Sequence, residues 1–184
     1  MKKIVMMLAV AASVMAVSCG KGDGKTAGSA DSATATEQTE QTGQTEQAIP
    51  QEMECKLSST SGDFSTVAPS LGVVKLTFGA PEGDQVPVEA EVTMEVKEAD
   101  PAVKTLKSYK VVLGYRTEAD ERKEVPAFDI DPAQADKLVT LLAKGAQGDK
   151  DIFKFTGKIS KADVEGLKTA KRYFMYNTNM VWGK

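Results

Sequence analysis

The sequence predicts a mainly β domain of the α+β class: an antiparallel β-sandwich, the immunoglobulin-like arrangement being one form of it, carrying two short helices. Three observations predict it. Alternating apolar and polar residues recur in several separate segments, turn-forming residues divide those segments at short intervals, and only two stretches show helical spacing.

In GVVKLTFG, Val74, Leu76 and Phe78 fall on one face. The stretch from Gly79 to Asp84 supplies a turn. VPVEAEVTMEVKE is the clearest strand: Val86, Val88, Ala90, Val92, Met94 and Val96 alternate with polar residues and Pro87, the signature of a half-buried strand. LKSYKVVLGYR keeps Tyr109, Val111, Leu113 and Tyr115 in phase, and VPAFDI and DIFKFTGKI are shorter candidates. DPAQADKLVTLLAKG reads as a helix with Asp131 as its cap, Pro132 at its first position and Gly145 as its stop. Ala135, Leu138, Val139 and Leu142 form its buried stripe. SKADVEGLKTAKRYF opens with Ser160 and Asp163 in capping-box spacing, with Val164 and Leu167 facing inward, although Gly166 weakens it as a helix. YFMYNTNMVW closes the pattern as a last strand, and its Tyr173, Phe174, Tyr176 and Trp182 suit core packing or a carbohydrate-stacking platform.

These elements belong to one domain over residues 50–184, long enough to bury a core. Before it, residues 19–49 are rich in Gly, Ser, Thr, Gln and Glu and lack apolar periodicity, so they read as a disordered tether. A flexible run of about 30 residues has an r.m.s. span of roughly 30 Å. Residues 1–18 read as a signal peptide, with Lys2 and Lys3 ahead of an uncharged run from Ile4 to Val17 that is too short to span a bilayer comfortably. Its removal takes the net charge from −3 to −5.

The signal ends in AVSCG: Ala16, Val17, Ser18, then Cys19 and Gly20. This resembles the lipobox of bacterial lipoproteins, and with the tether and the small β domain it is similar to envelope lipoproteins of Bacteroidota-type bacteria. The resemblance implies that Cys19 carries a diacylglycerol, that signal peptidase II cuts before it, and that the membrane is a partner through this anchor. It implies a place at the outer membrane facing the periplasm, with surface exposure as the other option. That family prefers Leu where this chain has Ala16. Ala16 and Ser18 also satisfy the small-x-small rule of ordinary signal peptidase, which would release a soluble protein. In the tether, Asp31, Ser32 and Ala33 resemble the O-glycosylation sequon of the same bacteria, which implies Ser32 as an acceptor. With Cys19 acylated, Cys55 has no partner within the chain, so no disulfide supports the fold.

The chemistry legible elsewhere is sparse. Histidine is absent, which removes the commonest general base and the commonest zinc ligand. No nucleophile elbow, phosphate loop or dinucleotide fingerprint occurs, so the sequence points to no catalytic residue, no metal and no cofactor. An acidic balance gives no reason to expect nucleic acid. Glu89, Glu91 and Glu95 share the outer face of one predicted strand, where they could meet a cation or a basic partner or simply be solvated. Lys161, Lys168, Lys171 and Arg172 cluster on the exposed side of the second predicted helix. They suggest a face for an anionic ligand, or a solvated face that complements the acidic strand within the molecule.

The expectation is a lipid-anchored, non-catalytic binding or assembly domain with an envelope protein or glycan as partner. One alternative is an inhibitor that shields the envelope from a foreign hydrolase with an acidic loop around Pro81–Asp84. A carboxylate-based enzyme is the third.

Overall fold

Alternation over twelve residues makes Gln85–Val96 (β4) the backbone of the structure: all six of its apolar positions from Val86 to Val96 are buried. Burial of each such side chain contributes about 1.5–3 kcal/mol, alanine less. The computed structural model describes residues 48–62 and 66–184. The signal peptide, Cys19, Ser32 and nearly all of the tether lie outside the described residues.

The remaining elements, in chain order, begin with Glu52–Ser61 (β1), Val67–Pro69 (β2) and Val73–Phe78 (β3). After β4 come Thr105–Arg116 (β5), Arg122–Glu124 (β6), Phe128–Ile130 (β7), Ala135–Lys144 (α1), Lys150–Ser160 (β8), Lys161–Lys168 (α2) and Arg172–Gly183 (β9). The expected mainly β class with two short helices is what the structure shows, and the two expected helices are α1 and α2.

The ladders run β4–β3–β1–β9–β5–β7–β8, and β8 pairs again with β4 over eleven residue pairs. Seven strands therefore form a closed ring, with β2 added beside β4 and β6 beside β5. Two features go beyond an antiparallel sandwich. β1 and β9 pair in parallel, whereas every other ladder among the described residues is antiparallel. The long β4–β8 ladder also joins the two layers by hydrogen bonds.

Across the core the layers meet as in a sandwich. The Tyr109 ring of β5 lies 6.1 Å from that of Phe155 on β8 and 5.8 Å from that of Trp182 on β9. The Tyr109 hydroxyl donates to the Val67 carbonyl of β2, which also accepts from Asn177 Nδ2 at 3.0 Å. Such buried polar groups are tolerated because they are paired.

The two helices close opposite ends of the ring. β4 starts, β8 ends, β5 ends and β9 starts at one end, as Gln85 pairs with Ser160 and Arg116 with Arg172. α2 sits there, buries Val164 and Leu167, and accepts a hydrogen bond from Tyr173 Oη at the Leu167 carbonyl, 2.7 Å. Its capping box is complete: Ser160 Oγ accepts from the Asp163 N–H, and Asp163 Oδ2 accepts from the Ser160 N–H, a device worth about 1 kcal/mol. Gly166 is explained by close approach, since a Cβ there would fall 2.0 Å from the Tyr115 hydroxyl. α1 lies at the other end, where Gly145 abuts Val96, and buries Leu138 and Leu142. Asp131 caps the 3₁₀ turn Pro132–Gln134 that leads into it.

Among the described residues no helix is long and apolar enough to cross a membrane. Cys55 is a free thiol with no exposed surface, and burial pushes its pKa up to about 12. It should therefore resist a thiol-alkylating reagent until the domain unfolds. Labelling followed by mass spectrometry across a urea series should track the unfolding transition, and rapid labelling without denaturant would contradict this packing.

Candidate functional site

The three arginines of the sequence stand in one row, although the other twenty basic residues are all lysine. β5 lies between β6 and β9, and the register places Arg116 opposite both Arg122 and Arg172. Directly opposed residues share a sheet face, with strands about 4.8 Å apart. Tyr115 points into the core, so the arginines leave the outer face side by side.

They line a cleft of about 300 Å³ together with Ser58, Ser59, Ser61 and Phe174. The serines come from β1, which neighbours β9. A register shift between Leu57 and Ser59 leaves the consecutive Ser58 and Ser59 both exposed, the effect of a bulge that re-aims side chains. Phe174 forms the floor. Its ring crosses Gly114 of β5, where a Cβ would fall 2.1 Å from Phe174 Cζ, and reaches the Arg122 guanidinium 4.3 Å from the ring centroid.

Like charges set directly opposite one another destabilise a sheet, so the row is a local cost that is only partly offset. Arg122 donates from Nε and Nη2 to Glu124 Oε1 at 2.9 and 2.6 Å. The turn after β5 turns Asp120 back, with a φ of 62°, so that its carbonyl accepts from Arg116 at 2.8 Å. The Asp120 carboxylate stays more distant, at 3.5 Å. The Arg172 guanidinium makes no ion pair or hydrogen bond among the described residues. The lining is a set of donors: guanidiniums carry no acceptor and stay charged, and the serines add hydroxyls.

The basic residues expected on one helix face do not share one. Thr169 caps α2, so Lys171 and Arg172 lie beyond it, and Arg172 opens β9. Lys161 is the first residue of α2, Lys168 pairs with Glu165 at 2.8 Å, and Lys171 donates to the Glu118 carbonyl at 2.6 Å. Of the four, only Arg172 belongs to the cleft.

The acidic face is matched by β8. Lys154 sits opposite Glu91 in register, with Nζ 2.6 Å from Glu89 and 3.9 Å from Glu91. Glu95 contacts Lys97 at 2.7 Å, Lys150 at 3.2 Å and the Ser70 hydroxyl at 3.0 Å. Among the described residues no three carboxylate or thiol groups converge as metal ligands. In the turn around Pro81–Asp84, Glu82 is held by Lys158 at 2.6 Å.

Hydrogen bonding from Lys97, then from Lys150 and Ser70, holds the Glu95 carboxyl at about 2 against its ordinary 4.5, outweighing the opposing effect of burial. A depressed folded-state pKa stabilises above the unfolded value, and that stability is lost as pH falls from about 4.5 to about 2. Glu95→Gln should flatten this part of the acid-unfolding profile, read by circular dichroism. An unchanged profile would show that Glu95 does not carry it.

Helical spacing in the sequence places Arg172 on a helix face and marks neither Arg116 nor Arg122. The available signal was compositional, three arginines in a lysine-rich chain, but only the strand register brings them together. No protein-family model, curated protein or solved structure matches this chain.

Proposed function

We propose that this chain is a lipid-anchored lipoprotein of the cell envelope whose β domain binds an anionic partner without transforming it. The observation that carries the binding role is the arginine row: all three arginines in register, opening on one cleft, with one guanidinium unpaired among the described residues. Opposed like charges that meet at a single place among the described ladders are consistent with a ligand that neutralises them. The three guanidiniums can hold an anion but stay protonated and cannot act as a base, which favours binding over acid–base catalysis. The anchor rests on the lipobox-like AVSCG sequence around Cys19, and stable attachment would come from more than one acyl chain.

Two experiments test the two halves. Small anions should raise the melting temperature of the wild-type chain and leave that of the Arg116→Gln/Arg172→Gln chain unmoved; equal shifts in both would end the binding role. Cys19→Ser should leave the membrane fraction after a carbonate wash, and a variant still retained there would end the anchor.

A further inference from the structure

We infer that the group held in the arginine cleft is a phosphate ester, an inference that rests on the anion-binding reading above and names the chemistry of its ligand. The geometry separates this class from a carboxylate. Carboxylates already stand at the rim of the cleft, each engaging one arginine: Glu124 occupies Nε and Nη2 of Arg122, and Asp120 lies beside Arg116. A ligand carboxylate has two coplanar oxygens and a single charge. They could bridge Arg172 and Arg116 as those of Glu95 bridge Lys97 and Lys150, but would leave no oxygen for the hydroxyls that β1 presents and one of the two guanidinium charges unneutralised.

A phosphate monoester offers three terminal oxygens that diverge from a tetrahedral centre and carries close to two negative charges at neutral pH. Divergent oxygens can meet guanidiniums on β9 and β5 together, strands about 4.8 Å apart, while a third faces the hydroxyls that β1 presents. Ser59 and Ser61 lie opposite Phe174 and Tyr176 in register, beside the arginine row. Ser58 is committed to the Tyr173 carbonyl at 2.9 Å, so Ser59 and Ser61 are the hydroxyls available to a ligand. Arginine suits this task because its planar fork pairs with phosphate bidentately. The Phe174 ring supplies the one apolar surface, fitted to the carbon side of an ester. The ester could come from a lipid headgroup or a soluble phosphorylated molecule; the chemistry at the cleft is the same.

The test is calorimetric titration of the unacylated Cys19→Ser chain at fixed ionic strength with acetate, inorganic sulfate, inorganic phosphate and glycerol phosphate. At about pH 7.5 both phosphates should bind at least about tenfold more tightly than acetate, the factor carried by one charge-assisted hydrogen-bonded pair. Glycerol phosphate affinity should fall toward about pH 5 as the second proton of the ester, with pKa near 6, returns; inorganic phosphate should fall over a somewhat higher range, while sulfate affinity holds. Arg172→Gln should lose about tenfold or more for phosphate.

Acetate binding as tightly as phosphate, or phosphate affinity that ignores pH, overturns the phosphate assignment and leaves the anion-binding reading standing. Binding by none of the four overturns that reading as well. Undiminished phosphate binding by Arg172→Gln overturns the location. Sedimentation with vesicles of phosphatidylcholine plus phosphatidic acid, but not with those containing phosphatidylglycerol, would support the phosphate assignment with a lipid headgroup as the source. Binding of glycerol phosphate without vesicle capture would support it with a soluble source.

Discussion

Replacing Phe155 by alanine is expected to remove about 3–5 kcal/mol of stability, a large share of the roughly 5–15 kcal/mol available to a domain of this size. Phe155 has no exposed surface and sits on β8, the strand that closes the ring, opposite Ala90 of β4 and Ile130 of β7. The small alanine opposite leaves room for the ring, which packs against Tyr109 at 6.1 Å. Truncation removes apolar contact with three elements at once and leaves a cavity that closed strands on both sides cannot readily collapse. Urea unfolding should show a lower midpoint at unchanged slope. A loss within the surface range of about 0.5 kcal/mol would mean that ring closure does not organise the core.

Gly114→Val should reduce both stability and anion affinity. Valine suits a strand interior, so backbone preference argues for a gain. Its side chain, however, would occupy the space of Phe174, whose Cζ, Cε2 and Cε1 lie 2.1, 2.3 and 2.8 Å from a Cβ at residue 114. Overpacking of this kind destabilises by about 1–3 kcal/mol. Lifting the ring also removes the support under the Arg122 guanidinium. The measurement is a double-mutant cycle with Phe174→Ala, in which removing the ring should restore much of the stability lost to valine. Additive losses, or a Gly114→Val chain with wild-type stability and affinity, would show that ring and glycine are not coupled.

Much of the fold was legible where one face of an element is buried, because burial writes a period into the sequence. β4 alternates along its whole length, β5 buries the Tyr109, Val111, Leu113 and Tyr115 expected of it although Val112 and Gly114 are buried too, and the Ser160–Asp163 box and Gly145 mark helix ends correctly. β1 is not legible even though Met53, Cys55 and Leu57 alternate, because its second half, SSTS, is largely exposed and carries no apolar signal. β2 and β6 are three residues each, too short for any period. The second helix is shorter than its sequence suggests, because TAKRYF continues a helical composition. Only the tertiary demand that Arg172–Gly183 enter the sheet ends it at Lys168. The arginine cleft was illegible for a different reason. It depends on register between strands separated by more than fifty residues, set by which faces are buried and by the β1 bulge, neither of which a local window contains.

The parallel pairing of β1 with β9 has a kinetic consequence. β9 is last in chain order among the described strands, yet it lies in the interior of the ladder, hydrogen-bonded to β1 on one side and β5 on the other. The ring cannot close until that segment has been synthesised, and the earliest strand must wait for it. High contact order of this kind slows folding to milliseconds or longer. Until then β1 and β5 each lack a neighbour on the side that β9 will fill. The nascent chain therefore spends its synthesis time open, a state that permits threading through a narrow passage and calls for protection of its exposed strand edges.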